Sequence, residues 1–174
     1  MLLHCCCGPC ASYVLEHLTP DYNITAFFYN PNIESSQEYE KRKNELLRLL
    51  SEAPFAADVE FVECAADNIA FEDAVKLYRN QPEGGARCMI CYEMRIRKTA
   101  QAAAAGKFDI FTSTMSVSPH KNAKAINEFG KKASNDFGVE YLSADFKKKN
   151  GYIRSVELSN QYKLYRQEFC GCGV

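Results

Sequence analysis

The sequence has no tryptophan and no apolar run approaching the roughly 18–20 residues of a membrane-spanning helix. It also has no charge bias: 21 Lys and Arg against 22 Asp and Glu leave a formal net charge of -1. No global field steers such a chain to nucleic acid or membrane, so a polyanionic partner must be met by local basic patches. The start, Met1-Leu2-Leu3-His4-Cys5, lacks the basic region of a secretory signal. A cytoplasmic location and no membrane partner are therefore expected. No internal repeat, low-complexity tract or linker divides the chain. One domain is expected over 1–174, ending in a C-terminal helix and a Cys-Gly-Cys tail at about 152–174.

Nine cysteines stand against these absences. Disulfide scaffolding suits small exported domains that lack a core. Here the composition is 47% apolar, the count is odd and the cysteines cluster. Cys5-Cys6-Cys7 stands with Cys10, Cys88 with Cys91, and Cys170 with Cys172, leaving Cys64 alone. In a reducing compartment such clusters favour metal or redox chemistry.

Apolar and β-branched runs predict strands at 1–6, 24–29, 59–64, 109–114 and 140–143. Helical patterns fall between them, at about 10–18, 35–50, 69–78, 88–105, 118–137 and 154–166. Ser35 and Glu38 form a capping box, with Tyr39, Leu46, Leu47 and Leu50 as the apolar face behind it. Ser118-Pro119 reads as the start of the fifth helix. This alternation predicts an α/β fold, a mostly parallel sheet of about five strands flanked by helices. Sites in such folds gather at the carboxyl ends of strands. Residues 6–10, 30–32, 64–68, 114–121 and 144–150 are therefore expected along one edge.

Cys7-Gly8-Pro9-Cys10 sits between a strand and a helix, and Cys88-Met89-Ile90-Cys91 sits where a helix begins. Two CxxC pairs far apart in a chain can converge on one metal centre, and a helix N-terminus favours thiolates. Spacing does not separate a structural zinc site from an iron–sulfur centre. Cys6 and Cys7 reach one site only if the chain already turns at Cys7. Either Cys6 replaces one thiol of the first pair, or five thiolates serve more than one metal. Cys5 and Cys64 read as core. Cys7–Cys10 also spells the thioredoxin motif, but it comes too early and lacks the preceding tryptophan. A disulfide across Gly171 would be strained and labile, which suits Cys170 and Cys172 to a two-electron relay.

Several segments, in fixed order from end to end, resemble the QueH-type epoxyqueuosine reductases. They are His4-Cys5-Cys6-Cys7-Gly8-Pro9-Cys10, Phe28-Tyr29-Asn30-Pro31-Asn32, Gly84-Gly85-Ala86-Arg87-Cys88-x-x-Cys91-Tyr92, Ser116-Val117-Ser118-Pro119-His120-Lys121, Asp145-Phe146-Lys147-Lys148-Lys149 and Tyr165-Arg166-Gln167-Glu168-Phe169-Cys170-Gly171-Cys172. The resemblance implies an adenine-nucleotide α-hydrolase-like (HUP-like) fold. It also implies reduction of epoxyqueuosine to queuosine at the wobble position of tRNA, without cobalamin. ATP-using relatives carry a Ser-Gly-Gly-x-Asp-Ser loop where this chain has cysteines, so an ATP-dependent tRNA sulfurtransferase is disfavoured. By similarity Cys6, Cys7, Cys88 and Cys91 hold a 4Fe-4S cluster, and Cys170 and Cys172 are the redox-active pair. Cys10 is expected near the centre on an additional iron, or zinc in an aerobically prepared sample. His120, Tyr92 and Asp145 are candidate proton donors, with His120 the catalytic choice. The expected partners are the anticodon loop of tRNA carrying epoxyqueuosine and an unidentified electron donor. Arg87, Arg95, Arg97, Lys98, Lys121, Lys124 and Lys147–Lys149 are candidate phosphate contacts, with Tyr29 or Phe146 stacking on a base. A zinc-binding module using the same cysteines is the alternative.

Overall fold

Strand β1 (Leu2–Cys5) is buried along its whole length, as a parallel strand covered on both faces must be. Its side chains alternate between two cores. Leu3 and Cys5 pack with Val14, Leu15, Leu46 and Leu49, while Leu2 packs with Ile96, Phe111 and Ile126. The computed structural model describes residues 1–65 and 67–172. Residue 66, in the predicted edge segment 64–68, and residues 173–174, the end of the predicted tail, lie outside the described residues.

Four further strands, β2 (Thr25–Phe28), β3 (Glu60–Glu63), β4 (Ile110–Ser113) and β5 (Glu140–Tyr141), complete an all-parallel sheet in the order β3-β2-β1-β4-β5. The expected α/β architecture is what is observed. Helices α1 (Gly8–Leu18), α2 (Ser36–Glu52) and α6 (Gly151–Gln161) pack together on one face. On the other, α4 (Ala86–Ala105) packs against α5 (Ala123–Phe137), and the short α3 (Asn68–Val75) leans on α4. Chain connections run outward from β1 in both directions, so the sheet reverses its winding between β1 and β4. The carboxyl ends of those two strands therefore border the crevice where such folds place ligands.

Local chemistry sets the helix starts. Ser35, Asp67 and Asn122 each accept a bond from the backbone N–H three residues on, at 3.3, 2.9 and 3.1 Å. Such a cap is worth about 1 kcal/mol. Only half of the capping box forms, because the Glu38 carboxylate turns to Arg42 instead. Leu47 is exposed, and the buried face of α2 is Glu38, Arg42, Leu46 and Leu49. Helix α5 begins at Ala123 rather than at Ser118-Pro119, because a 3₁₀ turn at Thr114–Val117 carries the chain across the crevice first. The last helix occupies Gly151–Gln161, earlier than the predicted 154–166.

Helix α5 can approach β5 only because residue 130 is glycine: a Cβ there would collide with the Tyr141 ring. Gly130→Ala should lower the unfolding free energy by about 1–3 kcal/mol, measured by urea denaturation. Adding Tyr141→Leu should recover part of that loss.

Candidate metal centre

The turn required for Cys6 and Cys7 to share a site is present. Strand β1 stops at Cys5, the chain bends at Cys6, and Cys7 is the N-cap of α1. The Cys6 and Cys7 sulfurs are 3.7 Å apart. With Cys10, in the first turn of α1, they form a group whose sulfurs all lie within 4.8 Å of one another. Cys6 Sγ also lies 3.7 Å from Thr114 Oγ1, just past β4, which places the trio in the β1–β4 crevice. Cys6 and Cys7 are buried and Cys10 is partly buried.

The three thiols cannot ionise independently. Hydrogen bonds from Cys10 and then Cys7 hold the Cys6 thiol well below its usual range, against the cost of burial. The same bond to Cys6 pushes Cys10 well up. Gln167 donates its side-chain amide to Cys7 Sγ at 3.1 Å. Beneath the trio, His4 Nδ1 pairs with Ser113 Oγ at 2.8 Å. Burial, followed by the charge of Arg95, pushes His4 down to about 3, so it is neutral there. Cys5 is fully enclosed and its thiol is pushed well up by burial, which fits its reading as core.

The second pair repeats the first one's setting. Helix α4 begins at Ala86, and the Gly84 N–H donates to Cys88 Sγ at 3.2 Å in its first turn. Cys91, one turn further along, is buried with Phe71, Val75 and Cys172. Cys88, Cys91, Tyr92, Arg95, Lys121, Cys170 and Cys172 line one small space. A neighbouring cavity of about 270 Å³ is lined by Cys10, His120, Lys121, Tyr152, Gln167 and Cys170, among others. Lys121 and Cys170 border both. The three cysteine groups thus lie on one side of the molecule, although Cys88 and Cys91 are not within the tight trio. The donors gathered here are mainly soft sulfurs, three of them within 4.8 Å of one another, with Glu83 the one carboxylate residue that lines both spaces, and such a set fits a thiophilic metal or an iron–sulfur centre.

The tail is strapped into this place by α2. Arg42 pairs with Glu38 at 2.6 Å and donates to the carbonyls of Cys170 and Phe169 at 2.9 and 3.1 Å. The Tyr165 hydroxyl reaches Glu38 at 3.2 Å, and the Glu34 N–H donates to the Gly171 carbonyl at 3.0 Å. Gly171 has φ +96°, a conformation open to glycine at little cost, and it turns both cysteines inward. The neighbouring Cys172 thiol pushes Cys170 down to about 6, aided by Lys121 and Arg95. Cys172 is pushed up in exchange.

Comparison with known proteins identifies the family. A family model described as "Epoxyqueuosine reductase QueH" matches residues 1–174. The chain belongs to the epoxyqueuosine reductase QueH family. QueH relatives include that of Streptococcus pyogenes serotype M1, 41% identical over 99% of this chain and 68% of the relative. The Thermotoga maritima QueH is 34% identical over 99% of this chain and 88% of its own. Among solved structures, a predicted subunit of a tRNA methyltransferase from Methanocaldococcus jannaschii shares the fold. Its TM-score is 0.60 at 13% identity, covering 90% of this chain and 76% of that one.

Other expected QueH site residues fall out differently. His120 is exposed at the rim of the larger cavity. Tyr92 is buried, and its hydroxyl is pushed up to about 12 by desolvation and then by Cys88. Asp145 is paired with Lys147 and Lys148. Arg87 and Arg95 are 3% and 2% exposed, too deep to meet phosphate. Tyr29 and Phe146 are core residues. Lys147 braces the 118–121 loop by donating to the Lys121 carbonyl at 3.0 Å, whereas Lys124 and Lys148 extend into solvent. The role of Arg42 was not anticipated. Its spacing four residues after Glu38 signals an ion pair, but not its burial beneath the tail.

Arg42→Lys keeps a charge beside Glu38 but loses the planar fork that holds two carbonyls at once. The tail cysteines of the metal-free protein should then alkylate on the order of tenfold faster, reflecting about 1–1.5 kcal/mol of lost hydrogen bonding. Mass spectrometry after timed alkylation measures this, and circular dichroism should be unchanged.

Proposed function

We propose that this chain reduces epoxyqueuosine to queuosine in tRNA. In this reading a 4Fe-4S cluster is held by Cys6, Cys7, Cys88 and Cys91, and Cys170 and Cys172 form the redox-active pair. Cys10 is left for an additional iron. The observation that carries this reading is the gathering of Cys6, Cys7 and Cys10 at the β1–β4 crevice, beside cavities bordered by the second CxxC pair and the tail. Family membership over the whole chain supports the same activity. Among the described residues no helix is long and apolar enough to cross a membrane.

Deoxygenation consumes two electrons and two protons: epoxide plus two thiols gives alkene, disulfide and water. The Cys170–Cys172 pair holds both electrons; Cys172 holds one of the protons, and the second must reach the leaving oxygen from another group. When bound, the iron–sulfur centre supplies one-electron transfer and a Lewis-acidic iron. The protein's own groups position and protonate. Cys170, bordering both cavities, is the thiol with the lowered pKa, so its thiolate is the more available nucleophile. Cys172 carries the proton that stabilises it. His120, at the cavity rim, is the side chain best set to deliver a proton to the leaving oxygen. Gln167 fixes the tail against Cys7, so tail position and metal ligation are coupled.

The chemistry is tested by anaerobic reconstitution. The wild type should take up iron and sulfide and turn brown, whereas Cys91→Ala should lose that centre. Cys172→Ser should keep iron and sulfide yet lose turnover in a physiological reductant system. Undiminished turnover would remove the tail from the mechanism, and zinc uptake without iron or sulfide would favour the zinc-binding alternative.

Recognition of tRNA rests on exposed cations around the crevice, Lys124, Lys148 and Lys149. Replacing all three by Ala should lower the slope of log affinity against log salt by about 2, the value expected for three contacts to an unpaired strand. Filter binding across a salt series measures it.

A further inference from the structure

Residues 87, 91 and 95 stand four apart on α4 and share one face. Cys91 therefore lies between two arginines, one turn before it and one turn after. Both are buried. Arg95 has three polar contacts: Asn30 Oδ1 at 2.6 Å, His4 Nε2 at 3.3 Å and Cys91 Sγ at 3.9 Å. None is an anion while Cys91 is a thiol. Arg87 donates from Nη1 to the Arg79 carbonyl at 3.0 Å, and its buried Nε has no hydrogen-bond partner. Among the described residues no carboxylate forms an ion pair with either guanidinium. Arg42, equally buried, shows the ordinary solution by taking Glu38.

A buried cation without a partner is expensive, and proteins rarely keep one. Two such cations flanking one cysteine need a shared negative charge. Arginine cannot shed its proton to escape the cost, so the balancing charge has to come from the groups nearby: Glu83, which lines the same space, the Cys6 and Cys170 thiols whose ionisation Arg95 favours, and a centre bound by these cysteines. A thiolate-ligated iron–sulfur centre carries net negative charge, and one more unit when reduced.

We propose that Arg95, backed by Arg87, is the built-in counter-charge of that centre: a positioning residue that favours the reduced state and raises the centre's reduction potential without touching substrate. The inference rests on Cys91 being a ligand of the iron–sulfur centre. Its physical basis is that a fixed positive charge in a low-dielectric site stabilises the more negative redox state more strongly. The guanidinium is held by its hydrogen bond to Asn30 and lies against the His4 ring, so little reorganisation accompanies electron transfer.

The test compares the wild type with Arg95→Met, Arg95→Lys and Arg87→Met, each metal-free and loaded anaerobically with iron and sulfide. Arg95→Met keeps apolar volume and removes the charge. Its metal-free Tm should equal or exceed that of the wild type, while the gain in Tm on loading should be smaller. Its midpoint potential, read by electron paramagnetic resonance titration, should move to a more negative value, and Arg95→Lys should stay near the wild type. A potential unchanged in Arg95→Met, or shifted equally in the Lys variant, overturns the proposal. So does a metal-free Tm that falls as far as the loaded one, since Arg95 would then be a packing residue. Should Arg95→Met fail to fold, Arg87→Met reads the same two quantities, and an unshifted potential there overturns the proposal equally. If the wild type binds zinc and no iron–sulfur centre, the functional reading fails. The metal-free and zinc-loaded Tm comparison then still decides whether the arginines serve as counter-charge.

Discussion

Three sulfurs within 4.8 Å of one another at the carboxyl end of the central strand are the constraint around which the rest of the molecule is arranged. Thiols packed this closely with little water resist collective ionisation, because each new thiolate repels the last. Only one of them, Cys6, is favoured as an anion. A cation removes that limit, because a metal takes thiolates and releases their protons. The parallel sheet makes this crowding possible. Strand β1 ends in the interior with helices on both faces, and α1 begins at once, so the three cysteines pass through one turn. The crevice between β1 and β4 then supplies Thr114 and the 118–121 loop from the other half of the sheet.

The tail completes the site by an interaction that has nothing to do with metal. Glu38 and Arg42 are buried on α2 and would be costly if left alone, yet together they make a rigid, satisfied pair. Two remaining guanidinium donors point at carbonyls of the tail, and the carboxylate takes the Tyr165 hydroxyl. The strap is thus assembled from leftover hydrogen-bonding capacity of one ion pair. Because Gln167 in the same strap also touches Cys7, the tail cysteines and the cysteine trio share a frame.

Much of this was legible in the sequence, and the reasons are specific. Fully buried parallel strands are continuous apolar runs, so Leu2–Cys5 and Thr25–Phe28 stood out. Cysteines at helix starts are visible from spacing, and Cys6, Cys7 and Cys10 converge as expected. What failed was information held by tertiary contacts. Ser118-Pro119 has good capping chemistry, but the chain needs those residues to cross the crevice, and Asn122 caps instead. Leu47 lies one residue's turn, about 100°, off the buried face of α2, which Leu46 and Leu49 share with Glu38 and Arg42. Arg87 and Arg95 resemble a basic surface patch in sequence. Only the packing of α4 shows that they face the cysteines rather than solvent.

That last distinction separates two tasks that a nearly neutral chain must perform on a polyanion. Solvated lysines such as Lys124 and Lys148 sit in high dielectric, where each contributes modestly and salt screens it. The buried arginines act in low dielectric, where salt scarcely reaches and one charge has large effect. A chain with a net charge of -1 cannot attract nucleic acid through its overall field. It can still bury a few charges beside the cysteine sulfurs. In the proposed function, binding of the strand and tuning of the centre draw on different cations.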